Sequence, residues 1–86
     1  MAKTKLLGVF AHRKDNTRRI IRGRMAAAGL RSGDLEKRGV LNRRTYYSRL
    51  NEAGDIRLKE LWGMELAGVR FSNEDLLAMF GRSEQI

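Results

Sequence analysis

"SGDLEKRGVLNRRTYYSRL", Ser32–Leu50, sets two short apolar-anchored runs on either side of a glycine and gathers its aromatics and most of its arginines in the second. In the first run Ser32 and Asp34 stand at the positive end of a prospective helix, Leu35 is its apolar anchor and Gly39 its stop. After Gly39-Val40-Leu41, Asn42 is placed to cap the next helix, because its side-chain oxygen can accept from the amide of Arg44 or Thr45. On that helix Tyr46 and Leu50, four apart, share one face with Thr45 at its edge, whereas Arg43, Arg44, Tyr47 and Ser48 lie toward the other. One face packs, with Tyr46 read as core, and the other is offered outward.

Upstream, Asp15, Asn16 and Thr17 are candidate N-caps for "RRIIRGRMAAAG", where Ile21, Met25 and Ala28 keep helical spacing and Gly29 supplies the stop. Gly23 costs that helix about 1 kcal/mol relative to Ala, either because something packs closely there or because the helix tolerates it. Residues 3–16 mix apolar and basic side chains with no clear period and are read as a strand, an arm or an extra helical turn. Downstream of the polar "NEAGD", Leu58, Leu61, Trp62 and Leu66 predict the buried stripe of a fourth helix that ends at Gly68. Ser72 and Asp75 form a capping-box variant before a fifth, with Leu76, Leu77 and Phe80 on one side and Gly81 as its stop. The expectation is an all-α, compact five-helix domain over 17–81, with a basic N-terminal extension over 1–16 and a tail over 82–86.

A chain of 86 residues buries only about 60–65% of its unfolded surface, so it holds one small core. Hydrophobic residues at 42%, charged at 33% and no Pro fit a folded helical domain. Without Cys there is neither a disulfide framework nor a thiolate metal site, and a cytoplasmic, nucleoid-associated address is expected. "KLLGVFAH" is too short to span a bilayer and no cleavage site follows it, so neither a membrane segment nor a signal peptide is expected.

The net charge of +8 is unevenly laid out. Residues 1–31 set nine lysines and arginines against Asp15 alone, residues 32–49 are net +3, and residues 50–86 are net −3. Such asymmetry favours a polyanion bound by the N-terminal half over a merely solubilising surface.

Two short helices about a tight turn, the second opening Asn-Arg-Arg and followed by two core-forming helices, keep the order of a helix-turn-helix DNA-binding domain. From about Thr17 to Gly81 the chain resembles the lambda-repressor-like, Cro-like (XRE-type) regulators, especially small phage and prophage members. The resemblance rests on "LNRRTYYSRL", the Gly-Asp turn, "RLKEL" and "SNEDLLAMFG". It implies five helices, duplex DNA as partner and commonly a homodimer. The chain departs from the family at Glu36, where a small residue usually follows the helix-two leucine, and at Gly39-Val40-Leu41, where an apolar residue usually precedes the glycine.

A helix N-terminus in the major groove brings its first side chains to base edges, and a guanidinium fork that bonds guanine bidentately discriminates by about 1–3 kcal/mol. Arg43, Arg44, Tyr47 and Ser48 are therefore the candidate base contacts, on helix 43–51. Arg18, Arg19, Arg22, Arg31, Lys37, Arg38, Asn42, Thr45 and Arg49 are the candidate phosphate contacts, which supply affinity rather than specificity. Lys3 and Lys5 are candidates for a minor-groove arm, a disordered segment or a swapped strand. Val69, Phe71 and the N-terminal apolar segment are candidates for a dimer surface.

Other chemistry is thin. His12 lacks a ligand cluster, Asp34 and Glu36 read as dipole or surface residues, and "GRMAAAG" lacks the ending of a phosphate loop. No cofactor, metal or enzyme activity is expected. The expected function is a sequence-specific double-stranded DNA-binding transcriptional repressor; its rivals are an adaptor of the same fold that binds an acidic host protein, and RNA binding by the basic N-terminal half.

Overall fold

The computed structural model describes residues 2–82, and side chains from residue 8 onward. Five helices follow one another: α1 (Ala2–Ala27), α2 (Ser32–Lys37), α3 (Arg43–Asn51), α4 (Leu58–Ala67) and α5 (Asn73–Met79), with a single 3-10 turn at Ala53–Asp55 between α3 and α4. Among the described residues no strand forms. α1 packs against α5 and the 3-10 turn, and α2 against α3.

The expected start of the first helix moves from Asp15–Thr17 to Ala2, because the residues offered as caps find their partners inside the helix. The Thr17 hydroxyl donates to the Arg13 carbonyl one turn back at 2.8 Å, and Asp15 pairs with Arg18 at 2.6 Å. With no Pro to stop it, the resulting rod of 26 residues is about 39 Å long. Residues 3–16 are thus helical rather than an extended arm or strand. Lys3 and Lys5 lie in its first turns, and their side chains fall outside the described residues, as does the tail over 83–86.

The core is contributed by every helix but the last: Ile21 and Met25 from α1, Leu35 from α2, Tyr46 and Leu50 from α3, and Met64 from α4, closed by Leu41 and Val69 from the connections. α5 adds only the partly buried Met79 to it. Nothing lies within 4 Å of the Cβ position at Gly23, so the helix simply tolerates that glycine.

α4 is turned relative to the expected stripe. Of Leu58, Leu61, Trp62 and Leu66 only Leu61 reaches the core; Leu58, Trp62 and Leu66 are exposed, and Glu60, Met64 and Ala67 face inward. Two apolar rows overlap on this helix, and the one that includes Gly63 packs because Val40 needs its space: a Cβ at Gly63 would lie 2.8 Å from Val40. On α5 the inward side is likewise Asp75, Leu76 and Met79, while Leu77 and Phe80 are exposed. Of the candidates for a dimer surface, Val69 is fully buried and so unavailable, while Phe71 packs partly buried against the core.

Candidate nucleic-acid interface

α3 is held at both ends by side chains from other elements. At its N-terminus Asn42 Oδ1 accepts from the Thr45 amide at 2.8 Å, and the Glu36 carboxylate, reaching across from α2, accepts from the Arg43 amide at 3.0 Å. Two of the amides that a helix start leaves without partners are thereby satisfied. The link across the turn is short because Gly39 adopts φ +72°, a left-handed conformation that lets the chain leave α2 sharply. At the C-terminus Arg18 of α1 donates from Nε to the Leu50 carbonyl at 2.5 Å and from a terminal nitrogen to that of Asn51 at 3.2 Å. A cation there also complements the negative end of the helix dipole. Lys14 meets Glu52 just beyond, at 2.5 Å.

A nearly buried ion pair ties α3 to α4: Arg49 Nε lies 2.9 Å from Glu60 Oε1, with side chains 19% and 9% exposed. Burial raises the Glu60 pKa, but the hydrogen bonds from Arg49 and the Arg57 amide, with the charges of both arginines, outweigh it and hold the carboxyl below its ordinary value. Tyr46 anchors the middle of α3, its hydroxyl pushed above the ordinary value mainly by burial, and its ring meets that of Tyr47 edge-on at 5.4 Å.

With one side so fixed, Arg43, Arg44, Tyr47 and Ser48 are all exposed on the opposite side. The Arg43 guanidinium lies over Gly33 of α2, where an added Cβ would come within 2.9 Å of it. The Tyr47 hydroxyl accepts a long hydrogen bond of 3.4 Å from Ser32, which leans the ring toward the start of α2. Two shallow grooves flank this row. One is lined by Arg22, Arg31, Lys37, Arg43 and Tyr47, the other by Arg18, Arg22, Arg44, Tyr47 and Ser48. The fold thus gathers cations from α1, α2 and the loop between them around the outer face of α3. Among the described residues, Arg22, Arg31, Lys37, Arg43 and Arg44 have side chains in no salt bridge or hydrogen bond.

The remaining expected phosphate contacts have other work. Arg49 is taken by Glu60, Arg18 closes the end of α3, Arg38 donates to the Ala67 carbonyl at the end of α4, and the Asn42 side chain caps α3 through the Thr45 backbone amide, which leaves the Thr45 hydroxyl outside the cap. Arg19 is exposed but lines neither groove. Glu36 is the residue that sequence reasoning undervalued: an acidic side chain seven positions before Arg43 follows no local capping pattern, and only the α2–α3 fold brings them together.

Among the described residues no group of three or more His, Cys, Asp or Glu is placed to hold a metal ion, and no helix is long and apolar enough to cross a membrane. No protein-family model, curated protein or solved structure matches the chain.

Proposed function

We propose that the chain is a sequence-specific double-stranded DNA-binding transcriptional regulator of the phage or prophage repressor kind, with α2 and α3 acting as a helix-turn-helix of the lambda-repressor-like type. The observation that carries this reading is the outer face of α3: Arg43, Arg44, Tyr47 and Ser48 exposed together on a helix fixed at both ends, flanked by Arg22, Arg31 and Lys37, whose side chains form no salt bridge or hydrogen bond among the described residues. A duplex is the polyanion whose major groove admits a helix of this width, and the two arginines at its leading end have the donor geometry for guanine edges. Arg22, Arg31 and Lys37 then neutralise flanking phosphates. Such a protein represses by occupying an operator in the cytoplasm.

The test is selection of bound sequences from a random duplex library, followed by fluorescence anisotropy on the selected site and a scrambled one. Wild type should prefer the selected site, and Arg43→Ala with Arg44→Ala should remove about 1–3 kcal/mol of that preference per lost bidentate contact. Residual affinity for any duplex should survive. An unchanged preference in the double variant removes these residues from base reading, and no enrichment of any sequence rejects the function.

A further inference from the structure

Gly33 stands in the first turn of α2, inside the helix and without a left-handed backbone, so no turn requires a glycine there. What requires it is space. A Cβ added at Gly33 meets a single side chain within 4 Å, that of Arg43, with Nη2 at 2.9 Å and Cζ at 3.9 Å. Non-bonded atoms rest at about 3.5–4.0 Å, so an alanine pushes that nitrogen back by roughly 0.6–1 Å. The displaced atoms are the end of a flexible, exposed side chain, and the fold itself has nothing to relax. Arg43 is also fixed at its root by α2, because the Glu36 carboxylate accepts from its amide at 3.0 Å. One residue before Gly33, the Ser32 hydroxyl reaches that of Tyr47 at 3.4 Å. Two consecutive residues of α2 thus face two of the four side chains on the outer face of α3. Arg44 stands apart from this contact: it lines the second groove with Arg18, Arg22 and Ser48, whereas Gly33 lines the first with Arg43.

We infer that Gly33 is a specificity-determining position of this face: it touches no base, and by leaving the backbone of α2 bare beneath the Arg43 guanidinium it sets which base edge Arg43 reaches. The inference rests on the DNA-binding reading of α3. A guanidinium grips guanine through two parallel hydrogen bonds, a geometry that holds only within about 0.5 Å. The shift that an alanine imposes exceeds that tolerance. Arg43 keeps its charge, so attraction to the duplex survives while discrimination at its own base falls.

The experiment repeats the duplex selection with wild type, Gly33→Ala, Arg43→Ala and Arg44→Ala, then varies each selected base in turn and measures binding by fluorescence anisotropy. The two arginine variants mark the positions that each arginine reads. Gly33→Ala should lose about five- to tenfold of the preference at the Arg43 positions, the low end of what a bidentate contact discriminates. The Arg44 positions and the salt slope should stay as they are. Added to Arg43→Ala, Gly33→Ala should change nothing further, because the one side chain it meets is gone. Its thermal midpoint should equal or exceed that of wild type, since α2 gains a better helix former; a lower midpoint means that the methyl meets more than Arg43 and overturns the role. So does an unchanged preference, a loss spread over every position, or a loss that persists without Arg43, and in each case wild-type selectivity leaves the DNA-binding reading standing. No enriched sequence with wild type removes both. In the free protein, the Nε–Hε resonance that Arg43→Ala abolishes should move in Gly33→Ala while that of Arg44 stays. An unmoved Arg43 resonance overturns the placement independently of DNA.

Discussion

A methyl group added at Gly23 would meet nothing within 4 Å, and the position lies inside the last three turns of α1 with no left-handed backbone. The only term left is the conformational freedom that glycine loses on folding, about 0.8–1 kcal/mol relative to alanine. Gly23→Ala should therefore stabilise the domain by about that amount, and at this chain length raise the thermal midpoint by roughly 4–8 °C. Circular dichroism melts of the two proteins decide it; an equal or lower midpoint would mean that this part of α1 is not helical in solution. Single residues show where sequence reading succeeds and fails. Asn42 was legible as a cap because its partner amide is three residues away. Glu36 and Arg18 were not, because each serves α3 from another helix, and a contact across 7 or 32 positions leaves no local pattern.

Helices were legible as elements and less so as oriented faces. The stops at Gly29, Gly39, Gly68 and Gly81 and the caps at Asn42 and Ser72 are local chemistry, so the boundaries of α2 to α5 follow from the chain itself. Which side of α4 turns inward depends on Val40 and Met64 competing with Trp62 for the core, a question of shape among helices that periodicity does not decide. The same placement brings Glu60 under Arg49, and a second pair, Arg24 Nε to Asp75 Oδ2 at 2.6 Å, joins α1 to α5. The hydrogen bond from Arg24 is the main cause of a lowered Asp75 pKa, as those from Arg49 and the Arg57 amide outweigh burial at Glu60. Depressed carboxylates stabilise the fold above their unfolded pKa values, near 3.9 for Asp and 4.3 for Glu, and lose that contribution as pH falls through the lower folded values. The thermal midpoint should thus fall below about pH 4.5. Glu60→Gln should lower it at pH 7 and make the acid limb shallower, so that the two curves draw together as pH falls through the lowered folded value of Glu60. Parallel curves would mean that Glu60 does not titrate differently in the folded protein.

At the scale of the whole molecule, the uneven charge along the chain becomes an uneven charge in space. The basic N-terminal half supplies α1, α2 and α3, while the acidic residues downstream are partly consumed in holding them: Glu52 meets Lys14, Glu60 meets Arg49 and Asp75 meets Arg24. Those three pairs remove cations from the count available to a polyanion. Arg18 is offset as well, by Asp15, and Arg38 is held at the Ala67 carbonyl, away from both grooves beside α3. Composition alone therefore overstates the electrostatic footprint, and the grooves beside α3 define it better, as Arg22, Arg31, Lys37, Arg43 and Arg44. If those five each displace one counterion from duplex DNA, log affinity should fall against log salt with a slope of about −4.5. Replacing Arg22 or Lys37 with Ala should make the slope shallower by about 0.9 each while leaving sequence preference intact, because phosphate contacts carry no base information. Arg49→Ala, by contrast, should leave the slope unchanged and lower stability, since its guanidinium faces Glu60 rather than solvent. Binding titrations from about 50 to 200 mM salt measure all three. A slope that steepens or stays fixed on removing Arg22 and Lys37 would place the polyanion on another face of the domain.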